Sequence, residues 1–387
     1  FIIPSQSDTF RIGGVLPAPI AAAVTIPPIE AALMDRRLLA ADLELLYPLY
    51  TGGRRAAVVD QARAGMTAAQ QAARRADLEV VLDTRRYYWG AILARRLLRL
   101  AEDTLARLEV TLALTRSLYE NGTGKVTRTD YLEHKVVVES LRGAVARLRA
   151  SEELGRAAVA FSAGLPWQTE LALVEEEPPF EPVHLDLAAL AEATCRFNPD
   201  WAQLEAALDA TEAQVRQEGG AGRPAVAAFG RLEYLANSYD AGLVGPEDKR
   251  SWVVGVALDW SLFTGFRTRH AVRAARARLA ALQGQQILLR EGLALQVRHL
   301  TIELTRTTQQ EASAGAALEA ARENRDLSTR AYQAGLVEVE DMVRSQIVEA
   351  LAGAQYEVVR FEHAVAQAQL DFVVGGELRR VLGEGGS

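Results

Sequence analysis

The stretch "WVVGVALDWSLFTGFR", residues 252–267, alternates large apolar side chains with small or polar ones and then loses this pattern. A period of two predicts a β-strand, because successive side chains of a strand point to opposite faces. One face collects the bulky residues Trp252, Val254, Val256, Leu258, Trp260 and Leu262. Beyond residue 266 the chain runs on without proline, so the sequence predicts a strand that leads directly into a long helix.

The same transition occurs earlier in the chain. "LYTGGRR" at 49–55 resembles "LFTGFRT" at 262–268, an offset of 213 residues, and "LYENG" at 118–122 meets "AYQAG" at 331–335 at the same offset. The strand before the first junction places on one face Leu43, Leu45, Tyr47 and Leu49. Two landmarks that share one offset indicate an internal two-fold repeat.

This repeat predicts two halves, 1–186 and 187–387, with a common order of elements. In the first half we expect a β-hairpin over 10–50 (strand 10–23, loop 25–37), a long helix over 53–119, a return helix over 130–162 and a linker over 166–186. In the second we expect a helix over 187–217, a β-hairpin over 224–263, a long helix over 265–332 and a return helix over 341–373. Because the helix 187–217 has no counterpart in the first half, we expect a matching N-terminal helix to precede residue 1.

The two long helices set the scale of the molecule. About 66 residues at a rise of 1.5 Å give roughly 100 Å. Apolar residues recur at spacings of three and four, with charged residues on the remaining faces, as in long coiled coils. Helices of this length predict a rod, a bundle or a tube.

Composition and charge exclude several classes of function. The net charge of −7 gives no basic surface for nucleic acid, and the single cysteine, Cys195, forms no intrachain disulfide. No apolar run reaches the roughly 20 residues of a membrane-spanning helix. The five histidines have no metal-ligand spacing, so we expect no metal, no cofactor, no catalytic residues and no enzymatic activity.

The apolar strand faces admit two interpretations. One is a half-buried hairpin on a soluble core. The other is lipid contact, because about ten residues suffice for a transmembrane β-strand. The lipid-facing candidates are Leu43, Leu45, Tyr47, Trp252, Val254, Val256, Leu258 and Trp260. Four strands cannot close a barrel, and lipid does not tolerate open sheet edges, so several chains would have to pool their strands.

Taken together, these features resemble the TolC-like outer-membrane efflux proteins, also called outer membrane factors. The resemblance is carried by the two copies, by "SLFTGFRTR" at 261–269, by "AYQAGLVEVEDMV" at 331–343, and by a helix followed by "RP" and a strand at 223–235. It covers nearly the whole chain.

The resemblance implies an α+β fold in which long antiparallel helical hairpins form an α-barrel. Four strands per chain would contribute to a twelve-stranded transmembrane β-barrel of a homotrimer in the bacterial outer membrane, with the helices extending into the periplasm. It implies a passive exit duct for efflux or type I secretion. The implied partners are outer-membrane lipid, a periplasmic adaptor (membrane fusion) protein and an inner-membrane pump of the RND, ABC or MFS type.

The resemblance also implies roles at the helical tips. Carboxylates that narrow the closed pore would fall on Asp341 and, three residues later, on Arg344, which departs from the family pattern. Glu338, Glu340 and Asp130 are further candidates for the constriction. Candidates for adaptor contact or tip packing are Tyr119, Gly122, Tyr332 and Gly335.

Two alternatives stay open at this point. The chain could be a cytoplasmic or periplasmic coiled-coil scaffold without a transport role, its hairpins being ordinary appendages. It could also be a duct specialised for protein secretion, since the pump rather than the duct selects the cargo.

Overall fold

The computed structural model describes residues 9–12, 29–32, 38–121, 126–174, 177–181, 186–237 and 250–384. The strands are β1 (Thr9–Ile12), β2 (Ile29–Ala32), β3 (Leu38–Tyr50), β4 (Ala225–Asn237) and β5 (Arg250–Asp259). The helices are α1 (Arg54–Glu120), α2 (Arg128–Ser162), α3 (Leu187–Phe197), α4 (Pro199–Gly220), α5 (Arg267–Gln333), α6 (Val339–Val373) and α7 (Leu378–Glu384). None of the helices in these ranges is long and apolar enough to cross a membrane.

The chain divides into two compact units, each built from both halves of the sequence. The sheet unit comprises Phe1–Arg63 and Asp209–Leu279, and the helical unit comprises Ala64–Leu208 and Ala280–Ser387. The boundaries of α1, α2, α5 and α6 lie within two residues of those expected from the sequence. The division into halves 1–186 and 187–387 stays a prediction.

Strand pairing differs from the expected first hairpin. β3 pairs antiparallel with β4 of the second half, and β4 pairs with β5, giving the order β3-β4-β5. β1 pairs with β2, which lies in the segment 25–37 that the sequence analysis assigned to a loop. The rest of the expected strand 10–23, from residue 13 onward, lies outside the described residues. Strand alternation identifies the faces of a strand but not its neighbours, so the sequence did not indicate the pairing of β3 with β4, and the hairpin expected over 10–50 stays a prediction.

The single helix expected over 187–217 is also wrong, because α3 ends at Phe197 and α4 begins at Pro199. The residue before a proline is disfavoured in helical conformation, and Asn198 is extended with ψ 125°. Its side-chain oxygen accepts hydrogen bonds from the backbone N–H groups of Asp200 at 2.8 Å and Trp201 at 3.2 Å. Its amide donates to the carbonyl of Val373 at 2.9 Å, which ties the break to the end of α6.

The helical unit is organised around α6. Its main apolar cluster joins α3, α5, α6 and α7 through Leu190, Leu293, Val297, Leu370 and Leu378. Two buried carboxylates of α6 extend these contacts: Glu357 accepts two hydrogen bonds from Arg96 of α1, at 2.5 and 2.6 Å. Glu349 is paired with both Arg107 of α1, at 3.1 Å, and Arg325 of α5, at 2.5 Å. One return helix therefore binds the long helices of both sequence halves.

Two return helices end in the same backbone turn but in different surroundings. Gly164 after α2 and Gly375 after α6 have φ of 72° and 73°. The backbone N–H of each glycine donates to the carbonyl three residues earlier, and the N–H of the following residue donates to the carbonyl five residues before it. This pair of hydrogen bonds is a Schellman C-cap. A Cβ at Gly375 would lie 2.2 Å from the carbonyl oxygen of Phe197, whereas a Cβ at Gly164 would meet no atom within 4 Å.

These two glycines form a matched pair for substitution. Gly164→Ala should lower the free energy of unfolding by about 1–2 kcal/mol, the cost of a side chain in left-handed conformation. Gly375→Ala should lower it by about 2–5 kcal/mol, since α3 must also shift away from the new methyl group. Urea denaturation followed by circular dichroism measures both, and equal losses would contradict the close approach of α3 to the end of α6.

Candidate membrane-facing sheet and helical tip

The register of the three-stranded sheet places apolar residues from distant parts of the sequence side by side. Leu43 pairs with Leu232, which pairs with Trp252, and the next such row joins Leu45, Gly230 and Val254. A third row joins Tyr47, Ala228 and Val256. Directly paired residues share a face of a sheet, so these rows form one continuous apolar surface.

This apolar surface is uncovered. The eight lipid-facing candidates from the sequence range in exposed fraction from 54% for Trp260 to 77% for Trp252. Seven of them lie within β3 or β5; Trp260 lies just beyond the end of β5 at Asp259, where the regular strand stops short of the expected limit at 263. Exposed apolar surface of this continuity marks a contact with another protein or with lipid.

The opposite face of the same sheet carries the charged residues of β3 and β4, together with the apolar Leu46 and Phe229. One row joins Asp42, Glu233 and Ser251, and the next joins Glu44, Arg231 and Val253. Further along, the ring of Phe229 lies against Gly255, where a Cβ would come within 2.9 Å of the ring. The charged residues Asp42, Glu44, Arg231 and Glu233 of β3 and β4 thus all lie on one face of the sheet, opposite the continuous apolar surface.

Both outer strands of this sheet have a free edge. Within the described residues β3 and β5 each pair with β4 only. β3 has 13 residues and β5 has 10, so each presents a long row of backbone groups without a sheet partner. Such edges pair with another chain unless the protein covers them.

At the first helical tip, Asp130 is engaged in capping α2. Its carboxylate accepts the backbone N–H of Thr127 at 2.8 Å, while the Thr127 hydroxyl accepts the backbone N–H of Asp130 at 3.2 Å. The Thr127 backbone N–H, and next its hydroxyl, hold the pKa of Asp130 below the ordinary aspartate value. This reciprocal pair is a capping box, which gives Asp130 a structural function at the helix start.

Of the two other tip candidates in the first half, the structure describes only one. The Tyr119 ring stacks parallel to that of Tyr131, with centroids 6.1 Å apart, and links α1 to α2. Gly122 lies outside the described residues.

At the second tip, Asp341 is exposed and makes no hydrogen bond or ion pair with any residue in the described ranges. Glu338 is the N-cap residue of α6, and its side chain makes no capping hydrogen bond. Arg344 pairs with Glu340 at 2.6 Å on the exposed surface. Of the three carboxylates here, Glu338 and Asp341 therefore form no ion pair with any described residue.

The turn before α6 is a third Schellman cap. Gly335 has φ 72°, its N–H bonds the carbonyl of Tyr332 at 3.0 Å, and Tyr332 is half-buried. The two tips are held together by Leu108 of α1, Val138 of α2 and Val343 of α6, which form one buried cluster.

One buried titratable group beside this cluster was missed by sequence reasoning. His134 of α2 lies with its Nδ1 3.1 Å from the hydroxyl oxygen of Thr115, and its Nε2 makes no hydrogen bond within the described residues. Burial lowers the pKa of His134, while the carboxylates of Asp130, Glu133 and Glu340 oppose this shift. Its position seven residues from the start of α2 carries no motif that would have identified it.

A second group of residues not found from the sequence holds the linker. Arg360 of α6 donates to the carbonyl of Pro178 at 3.1 Å and pairs with Glu177 at 3.5 Å. His363 stacks on Phe180, with ring centroids 4.3 Å apart. The described linker residues 177–181 thus pack on the middle of α6, where no periodicity distinguishes Arg360 and His363 from ordinary helix residues.

Comparison with known proteins agrees with this architecture. The Outer membrane efflux protein family profile matches residues 35–164 and 190–376. No curated protein sequence matches the chain. Among solved structures, the fold resembles the outer membrane protein VceC from Vibrio cholerae, at 18% identity and a TM-score of 0.73, covering 88% of this chain and 86% of that one.

Two further channels have the same fold. The CmeC outer membrane channel of Campylobacter jejuni is 12% identical, with a TM-score of 0.72 over 88% of this chain and 78% of that one. The open state of the MtrE outer membrane channel of Neisseria gonorrhoeae is 15% identical, with a TM-score of 0.72 over 88% and 81%. Because the family match extends over most of both sequence halves, this protein belongs to the outer membrane efflux protein family, which confirms the family and the outer-membrane location expected from its sequence.

Proposed function

We propose that this protein is the passive exit duct of a tripartite efflux or type I secretion system. In this proposal three copies form a twelve-stranded barrel in the outer membrane and a helical tube in the periplasm. A periplasmic adaptor docks on the tube, and an inner-membrane pump supplies the energy and selects the cargo. The duct has no catalytic step.

The observation that carries the proposal is the apolar face of a sheet that no described residue covers and whose two outer edges have no partner among the described strands. In lipid every backbone polar group must be paired, so an open sheet is excluded and a closed barrel is the available solution. These three strands, even with the fourth strand expected over 10–23, are too few to close one, so identical copies must contribute strands side by side. The apolar face then turns to lipid, and the face with Asp42, Glu44 and Arg231 turns to an aqueous interior.

The helical unit supports the same assembly. Exposed apolar side chains follow the outside of α2, including Leu132, Val136 and Leu154, and the outside of α5, including Leu288 and Leu295. Within the described residues nothing buries them. An apolar stripe of this kind on a long helix is buried when another helix packs against it. Adjacent copies in a tube would provide that helix.

Asp341 and Glu338 support a cation-preferring constriction at the tip. Both are exposed, and three symmetric copies would place equal charges around one axis. A ring of carboxylates attracts cations and repels anions. Arg344 neutralises Glu340 within the same helix turn, so we assign Asp341 to the constriction ahead of Glu340. The half-buried Tyr332 and the tip turn at Gly335, with Tyr119 and Gly122 of the first tip, are our candidates for adaptor contact.

Planar-bilayer recording of the purified protein, together with its mass in detergent, tests the proposal. We expect discrete conductance steps and the mass of three chains. A water-soluble monomer without channel activity would refute both the duct and the trimer.

Replacing Asp341 by Asn should weaken the cation preference of the channel. Three fewer charges at the constriction should lower the cation-to-anion permeability ratio by about two-fold or more. Reversal potentials in asymmetric KCl measure this ratio. Glu319→Gln, an exposed acid of α5 outside the tip, is the control and should leave the ratio unchanged; an unaltered ratio in D341N would remove Asp341 from the constriction.

Adjacent residues of β5 test which sheet face meets lipid. Val254 is on the apolar face and Val253 is on the face that carries Arg231. Val254→Arg should cost about 2–4 kcal/mol near the bilayer midplane and reduce the yield of assembled protein in the membrane. Val253→Arg, at the same depth, should assemble nearly as the wild type does, as measured by the oligomer recovered from outer membranes. Equal losses in the two variants would count against lipid contact.

A further inference from the structure

The start of α5 carries an unusual concentration of positive charge. Five arginines occur within twelve residues, and no carboxylate occurs between Asp259 and Glu291. The five are Arg267, Arg269, Arg273, Arg276 and Arg278, and all are exposed. None of them forms an ion pair or a side-chain hydrogen bond with any residue in the described part of the chain. This surface, the α5 basic patch, is therefore uncompensated within one chain.

The location of the patch is unfavourable for the helix itself. The N-terminal end of a helix carries partial positive charge, so acidic residues stabilise it and basic residues destabilise it. α5 has no acidic residue in its first turn. Helix stability therefore does not explain the two arginines of the first turn, Arg267 and Arg269, and an external anion would offset the mutual repulsion of all five.

The corresponding start of α1 contains an acidic residue that forms ion pairs. At the predicted offset of 213 residues, Asp60 occupies the position that Arg273 occupies in α5. Asp60 pairs with Arg216 of α4 at 3.0 Å and with Arg63 at 3.8 Å. The two junctions thus differ in charge: the first has an acidic residue paired with Arg216, whereas the second has five exposed arginines and no acidic residue.

A cavity of about 630 Å³ lies beside the patch, between the end of α4, the segment that follows β5 and the first turns of α5. Arg269, Arg273 and Arg276 line it at spacings of four and three, which place them on one side of the helix. The hydroxyl-bearing residues Thr264 and Thr268 line it as well. The cavity therefore offers cationic and hydroxyl groups to a single ligand.

The rim of this cavity is strongly apolar. Leu262 and Phe263 are each 78% exposed, and Phe266 is 59% exposed. The rings of Phe263 and Phe266 meet edge to face, with centroids 5.8 Å apart. Phe266 has φ 64°, a conformation that costs a side-chain-bearing residue free energy, yet it holds this exposed ring in place. Exposed aromatic rings beside arginines suit the boundary between hydrocarbon and water.

We propose that this cavity binds the phosphate headgroup of an anionic phospholipid, an inference that rests on the proposed barrel in the outer membrane. Arg269, Arg273 and Arg276 bind the phosphate, because guanidinium groups form paired charge-assisted hydrogen bonds with its oxygens. Phe263 and Phe266 contact the first part of the acyl chains. The lipid thereby neutralises the α5 basic patch and fixes the depth of the strand-to-helix junction at the membrane surface.

Native mass spectrometry of the detergent-purified assembly, titrated with phosphatidylglycerol or with phosphatidylcholine of the same acyl chains, tests this inference. The wild type should bind phosphatidylglycerol more tightly, and added salt should weaken the preference. The variant R269Q/R273Q/R276Q should lose at least about ten-fold in phosphatidylglycerol affinity. The control R298Q/R322Q/R330Q removes three exposed arginines farther along α5 and should bind as the wild type does.

Several outcomes would overturn the inference. Equal affinity for the two lipids in the wild type, or an unchanged preference in the triple variant, would do so. Displacement of phosphatidylglycerol by an equal concentration of inorganic phosphate would indicate a site for soluble anions instead. Loss of trimer mass in the triple variant without any lipid preference in the wild type would indicate that the arginines contact a neighbouring copy.

Channel recordings of the same preparations separate this inference from the proposed function. If the triple variant conducts as a trimer and keeps the wild-type preference for phosphatidylglycerol, the proposed lipid site is wrong but the proposed duct is supported. If the wild type forms no channel, the duct fails and the lipid site fails with it. Should the triple variant not fold, Arg273→Asp introduces the residue that α1 has at this position and should show the same ten-fold loss or more.

Discussion

The structure depends on one constraint, which is that no other described part of the chain covers the apolar face of the sheet or pairs with its outer strands. The rows that join Leu43 to Trp252 and Leu45 to Val254 expose a continuous apolar surface, and nothing described in the chain covers it. An apolar face is stable in contact with hydrocarbon, but the unpaired backbone groups of a sheet edge are not. Assembly of several copies resolves both requirements at once, which is why the proposed duct is also an oligomer.

In the helical unit, buried charge rather than apolar contact alone determines which helices associate. Glu349 contacts Arg107 and Arg325, and Glu357 contacts Arg96, so α6 joins the long helices of both sequence halves. Breaking a buried pair leaves an uncompensated charge, which penalises alternative packings of these alanine- and leucine-rich helices. Long helices with repetitive apolar surfaces could otherwise slide relative to one another.

The two tips and the two strand-to-helix junctions, which the predicted repeat would relate, differ in how their charges are paired. Asp130 caps α2, whereas Asp341 stands exposed without a partner. Asp60 of α1 pairs with Arg216, whereas Arg273, at the matching offset in α5, adds to the positive charge. In each case the second half carries the uncompensated charge, and we therefore assign to it both the proposed constriction and the proposed lipid site.

The sequence by itself determined the local elements. Alternation identified the apolar faces of β3 and β5, and the absence of proline with apolar spacings of three and four identified α1, α2, α5 and α6, because these patterns reflect the geometry of one segment. Only the tertiary structure decided that β3 pairs with β4, that Asn198 and Pro199 divide α3 from α4, and that Glu349, His134 and Arg360 are buried or engaged. Those outcomes depend on contacts between residues far apart in the chain, which a periodicity within one segment does not encode.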